Sequence, residues 1–221
     1  MKNLSLVSAI WLFLILMICV PSTSGLNFPD PDPGLAKPLP DGEVLVIGDD
    51  SPDETLIINN HFEHVGDIQV INSGVLRVEG TGAHLLHTGD LMVSQDGSFI
   101  VTDGVYTSNQ SYRYQYGYEL RDNARAEFTN ARVNFNAVPG NALFAGDSQV
   151  TYTDTVSDIH ATAIVTQGSM VDVVRSSHSL ELIMTGAAQV NFTDSDHSIL
   201  WLGFAENEVA GFSVPLMSGN F

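Results

Sequence analysis

Asp90, Glu119 and Arg121 are the residues of this 221-residue chain whose types and spacing come nearest to reaction chemistry. Asp90 and Glu119 fall on one outward face in successive copies of a repeat, and Arg121 follows two residues after Glu119. Two carboxyl groups flanking a glycosidic bond serve as acid and base in its cleavage, and their separation decides the stereochemical outcome. An Arg beside carboxylates serves instead in a lyase-type elimination. The competing reading is a solvated surface, because the rest of that face is aliphatic or small and holds no dense acidic cluster.

Three other groups are candidates for ligands. Tyr112, Tyr114, Tyr116 and Tyr118 alternate with Arg113, Gln115 and Gly117. In an extended strand such alternation puts rings on one side, a platform on which sugar rings stack. Tyr118 also belongs to an inward column, so Tyr112, Tyr114 and Tyr116 are the ligand-binding candidates, against the alternative that they cover an apolar edge. His160, His178 and His197 recur at spacings suited to stacked imidazoles, which bind transition metals, although such columns are more often unliganded. Asp49, Asp50, Asp53 and Glu54 are candidate oxygen ligands for calcium. They lack the alternating spacing of a calcium loop, and Ser51-Pro52 among them reads as an ordinary turn. No glycine-rich phosphate loop, serine elbow or zinc-protease helix is present.

These residues are positioned by a repeat whose copies begin at Asp67, Asp90, Gly117, Asn141, Thr162 and Glu181. A period of 19–27 residues is the mark of a solenoid, one coil per copy. Each copy holds two alternating strands around a turn of small or polar residues. Inward positions of the first strand are Ile68/Val70, Leu91/Val93, Tyr118/Leu120, Ala142/Phe144, Ala163/Val165 and Leu182/Met184. Those of the second are Leu76/Val78, Phe99/Val101, Ala126/Phe128, Val150/Tyr152, Val171/Val173 and Val190/Phe192, all apolar at a period of two. The turns between them, such as Asn72-Ser73-Gly74 and Gln95-Asp96-Gly97, hold residues that tolerate a left-handed backbone. Spacing from first to second strand is constant, so insertions belong to the third strand and the loop after it. An antiparallel sandwich is the competing architecture.

After the second strand comes a short polar column: Gly80, Asp103, Asn130, Asp154, Arg175 and Asp194. Asn and Asp hydrogen-bond neighbouring backbone at sharp turns and can bond along a stack. With the strand columns, this resembles the asparagine ladder of right-handed parallel β-helix proteins in the pectate-lyase-like superfamily, over residues 66–200. Gly80 and Arg175 depart from the pattern and are expected to interrupt the ladder. The resemblance implies an all-β, right-handed parallel β-helix of about six to seven coils. It also implies that polysaccharide lies across the outer face of the first strand, the face that carries Asp90, Glu119 and Arg121. The middle outward column there ends in Leu143, Ile164 and Ile183, a stripe able to pack on another chain.

Residues 1–24 read as a secretory signal, with Lys2, an apolar run from Leu12 to Val20 and small residues at Ser22-Thr23-Ser24. Its removal takes away Cys19, the single cysteine, and leaves no stable membrane span. Residues 25–42 form a proline-rich linker and 43–65 short strands capping the first coil. Residues 66–202 are the β-helix, and 203–221 an incomplete coil or C-terminal cap, with truncation of a longer solenoid favoured. The net charge of −18 opposes nucleic acid, anionic membrane and acidic polymers at long range. The expected localisation is therefore secreted or cell-surface. Polysaccharide or cell-surface glycan is the expected partner. Catalysis by a lyase or hydrolase, and a non-catalytic adhesive or structural role, are the alternatives.

Overall fold

The computed structural model describes residues 42–111, 115–135, 140–204 and 212–213, with backbone alone at 158–162, 178–181, 197–204 and 212–213. No helix among the described residues is long and apolar enough to cross a membrane. The chain is a parallel β-solenoid, and every strand pairing among these residues is parallel.

First strands such as Ile68–Val70, Leu91–Val93 and Gly117–Leu120 stack in one sheet. Second strands such as Val75–Glu79, Ser98–Thr102, Arg125–Thr129 and Gln149–Thr153 stack in another. Register follows the expected columns, with Leu76 beside Phe99, Ala126 beside Val150, and Val171 beside Val190. Strands Leu45–Ile47, Thr55–Ile58 and His61–Val65 join the same sheets in register, so residues 45–65 form a further coil of the same build. At the other end Phe212–Ser213 pairs with Val190 and Asn191, extending the second sheet.

The third strands explain the varying period. His61–Val65, His84–Thr88, Val105–Ser108 and Arg132–Asn134 are separate strands, with intervening residues before the next first strand. From Val156–Val165 onward the two strands run together. This strand pairs with Arg132 and Val133 at its start and with Gly140–Phe144 at its end. Ser177–Met184 and Asp196–Phe204 follow suit, with register shifts where the two halves meet. Loss of the loop thus shortens the later copies.

Inward side chains form one continuous core. Leu76, Phe99, Leu91, Leu120, Phe128 and Met184 are each at most 1% exposed. Small Ala126 and Ala142 stand in the same columns as rings that fill the space they leave. Phe99 meets Phe128 edge-to-face at 5.6 Å and Tyr106 at 5.3 Å. Tyr118 meets Phe144 at 5.7 Å, and Phe128 stacks on Tyr152 at 4.8 Å. Such pairs add about 0.5–1.5 kcal/mol beyond area burial.

Both corners turn through left-handed residues. At the first corner Asn72, Gln95, Asp122 and Gln167 have φ of 54–61°, leaving backbone N–H groups that need acceptors. The rung above supplies them: Gln95 Oε1 accepts the Asn72 N–H at 2.6 Å, and Asp122 Oδ2 the Gln95 N–H at 3.1 Å. Gly146 sits at φ 74°, where an added Cβ would stand 2.6 Å from the Asp122 nitrogen. Its N–H is accepted by Gln167 Oε1 at 2.5 Å. At the second corner Asn130 Nδ2 donates to Asp103 Oδ1 at 2.6 Å. Arg175, expected to interrupt this column, instead continues it. Its guanidinium donates to both Asp154 oxygens at 2.8 and 2.7 Å, an ion pair doing what the Asn130 amide does two rungs lower. Just inside, Ser176 Oγ accepts the Thr155 N–H at 3.0 Å and Ser195 Oγ the Ser176 N–H at 3.1 Å.

Phe99 touches rings on three strands, so Phe99→Ala is expected to cost about 3–5 kcal/mol in urea unfolding. Ile57→Ala, at a side chain 51% exposed, is expected to change stability by about 0.5 kcal/mol or less. Equal effects would contradict a continuous stacked core.

Candidate functional site

The outer face of the first-strand sheet brings Asp90 and Glu119 together around a glycine. A Cβ at Gly117 would stand 3.7 Å from Asp90 Oδ1 and 3.9 Å from Glu119 Oε1. Both carboxylates nevertheless have structural partners. Asp90 Oδ1 accepts the Gly117 N–H at 2.7 Å, and Asp67 Oδ1 accepts the Asp90 N–H at 2.9 Å, so this column ties rung to rung. Glu119 Oε2 accepts from Arg121 Nε and Nη2 at 3.0 and 2.8 Å. Arg121 is exposed, just past the end of the Gly117–Leu120 strand. The aliphatic stripe beyond is already covered: Leu143 is 8% and Ile164 2% exposed, while Ile183 is partly buried.

Of the tyrosine run, Tyr112 and Tyr114 lie outside the described residues. Tyr116 is 3% exposed, and its hydroxyl accepts from Gln115 Nε2 at 3.1 Å. Residues 115 and 116 form a bend, and strand alternation starts at Gly117, so the Tyr116 ring faces protein and not solvent. Tyr118 fills the core as its column requires. The side chains of His160, His178 and His197 are outside the described set; by backbone register His178 pairs with His197, but His160 pairs with Ser179. In the acidic group at 49–54, Glu54 Oε2 accepts the Gly48 N–H at 2.8 Å, which makes it a turn brace. Among the described residues no three His, Cys, Asp or Glu side chains are placed to hold a metal.

Two arrangements escaped the reading of the sequence. One is a polar groove of about 410 Å³ on the second-strand sheet, lined by Asp96, Ser98, Asn123, Arg125, Asp147 and Gln149. These are two columns across three rungs: turn residues Asp96, Asn123 and Asp147, and strand residues Ser98, Arg125 and Gln149 in register. Asn123 Nδ2 donates to Asp96 Oδ1 at 3.3 Å. Arg77, Arg121 and Arg175 are each paired with a carboxylate, and Arg132 is engaged as well. Among the described residues Arg125 has no such partner, and its guanidinium stands exposed in the groove. The sequence signal was the recurrence of Asp-x-Ser, Asn-x-Arg and Asp-x-Gln at one place in three copies.

The other is a histidine quartet on the third strands, from His-x-x-His in two successive coils. His61 pairs with His84 and His64 with His87. His87 is fully buried. Its Nε2 donates to the Gly66 carbonyl at 2.8 Å, so Nδ1 faces the Tyr106 hydroxyl at 3.4 Å as acceptor. Burial, chiefly, pushes the His87 pKa down to about 4, with the His64 charge adding to the effect against opposing contributions from Gly66, Asp67 and Asp90.

A parallel β-solenoid with a polar groove across three rungs is the class that fold and surface together define. Comparison with protein-family models, curated proteins and solved structures finds no match for the chain.

His87 sets an acid limit on stability. Above pH 6.5 both folded and unfolded chains keep it neutral. As pH falls below 6.5 the unfolded chain takes up the proton and the folded chain does not, so stability drops until about pH 4, where the folded state protonates too. Between pH 6.5 and 5 the loss is about 1.5 kcal/mol. Urea unfolding at both values should show that excess loss in the natural chain relative to His87→Gln. Identical pH dependence in the two proteins would remove His87 as the cause.

Proposed function

We propose that the chain is an exported solenoid module that binds a hydroxyl-rich, uncharged polysaccharide without cleaving it, along the groove centred on Arg125. The observation that carries this reading is the groove's lining: carboxylate, amide, hydroxyl and guanidinium groups in two columns on an exposed sheet. Adjacent sugar hydroxyls are recognised by such groups, which accept and donate in pairs. Rungs repeat at about 4.8 Å, close to the advance of one sugar ring along an extended glycan. The net charge of −18 argues against a polyanion and for an uncharged chain. The resemblance in repeat pattern to the pectate-lyase-like superfamily supports polysaccharide as the ligand class, although this groove lies on the second-strand sheet.

A second reading, a lyase or glycoside hydrolase acting through Asp90, Glu119 and Arg121, is favoured by the convergence of both carboxylates on Gly117. Their hydrogen bonds to backbone and to Arg121 weigh against it.

On a glycan array the purified chain should retain a neutral polysaccharide, and added salt should leave affinity unchanged. Arg125→Ala and Asp147→Ala should each weaken binding by about 10-fold or more, the worth of a hydrogen bond to a charged group. Incubation with the bound glycan should release no shortened or unsaturated product. Absence of binding to every glycan would overturn the proposal; product formation abolished by Glu119→Gln would establish the second reading.

A further inference from the structure

The geometry points to a metal site that none of the foregoing uses: His61 and His84 as a two-imidazole site for a borderline divalent transition metal such as zinc, copper or nickel. The two residues stand directly over one another on neighbouring rungs. Their ring centres are 5.0 Å apart and the planes cross at 61°. With nitrogen-to-metal bonds of about 2.0–2.1 Å, two imidazoles on one ion at a near-tetrahedral angle hold their centres roughly 5 Å apart. The observed separation is therefore that of a chelating pair.

His84 is on the outward face, since Leu85 after it lies in the core, and His61 pairs with it in register on the end coil, where Phe62 is itself exposed. His61 is exposed and His84 partly so, which leaves an entry path for the ion. His84 Nε2 lies 3.0 Å from Thr107 Oγ1 on the next rung. That contact holds the ring and occupies Nε2, which leaves Nδ1 as the nitrogen for the ion, as outer-shell partners of metal-bound histidines do.

The second histidine pair is a control built into the same strands. His64 and His87 are 5.9 Å apart and nearly parallel, and both His87 nitrogens are engaged by Gly66 and Tyr106. That pair is closed to metal. No third His, Cys, Asp or Glu joins His61 and His84 among the described residues, so water completes the coordination and affinity is that of an open site. Because its ligands come from two coils, a bound ion clamps the Leu45–Val65 coil to the next one.

The test uses the full chain without a histidine tag. Zinc or copper should raise the thermal midpoint by a few degrees at saturating metal, and magnesium should not. His61→Asn and His84→Asn should each abolish the rise, whereas His178→Asn should retain it. Copper added to the natural chain should give an electron paramagnetic resonance spectrum with two coordinated nitrogens, and one in His61→Asn. No midpoint shift and no nitrogen coupling would overturn the site. A shift that survives His61→Asn and disappears in His178→Asn would place the ion elsewhere and equally overturn it.

Discussion

In-register stacking of parallel rungs is the constraint from which the rest of this structure follows. Each coil pairs its backbone with the coils on either side and places its inward side chains on theirs, so no coil has a core of its own. The consequence is that side-chain size is balanced along a column as much as across a layer. Ala126 and Ala142 are tolerated because Phe99, Phe128 and Tyr118 reach into the space beside them, at ring separations of 5.6–6.2 Å. Stability in such an array is a sum of rung interfaces, and a disturbed rung is felt first by its immediate neighbours.

Stacking also restricts where charge can sit. Two like charges one rung apart, about 4.8 Å, repel by about 0.9 kcal/mol even in bulk water. At the second corner the column runs Asp103, Asn130, Asp154, Arg175, Asp194, so no two carboxylates occupy adjacent rungs. Separated by two rungs, they are at about the Debye length of physiological salt and largely screened. Asp67 and Asp90 do stand on adjacent rungs, and there each accepts a backbone N–H from the rung above. A strongly acidic chain can therefore stack without accumulating the repulsion its net charge suggests.

The two main strand columns were legible because their signal is a period of two repeated in six copies, and each copy reinforces the rest. Third strands were not, since loops of differing length break the alignment and only His-x-x-His in two coils marks it. Arg175 departs from the like-with-like bonding of an amide ladder, yet a long cation chelating the acid below serves the same geometry. Tyr116 shows the limit of alternation: the pattern through residues 112–118 is regular, but the chain bends at 115–116 and buries the ring. Asp90 and Glu119 did prove to be neighbours, as outward positions on successive rungs must be. Their engagement by a backbone N–H and by Arg121 depends on rotamers that a column pattern does not contain.

Many polar side chains of this solenoid hold rungs together. Gln95, Asp122 and Gln167 cap corners; Asp67 and Asp90 cap a strand edge; Thr155, Ser176 and Ser195 satisfy the inner turn. Arg125 is different. Its column neighbours Ser98 and Gln149 maintain the same backbone pairing with uncharged side chains, so the fold does not require a guanidinium there. Among the described residues this exposed guanidinium has no carboxylate partner, and Asp147 and Gln149 beside it are likewise exposed. The carboxylates at Gly117 are engaged by backbone and by Arg121, whereas the Arg125 guanidinium is not needed by the stack, which is why the groove around it carries more weight as a candidate site.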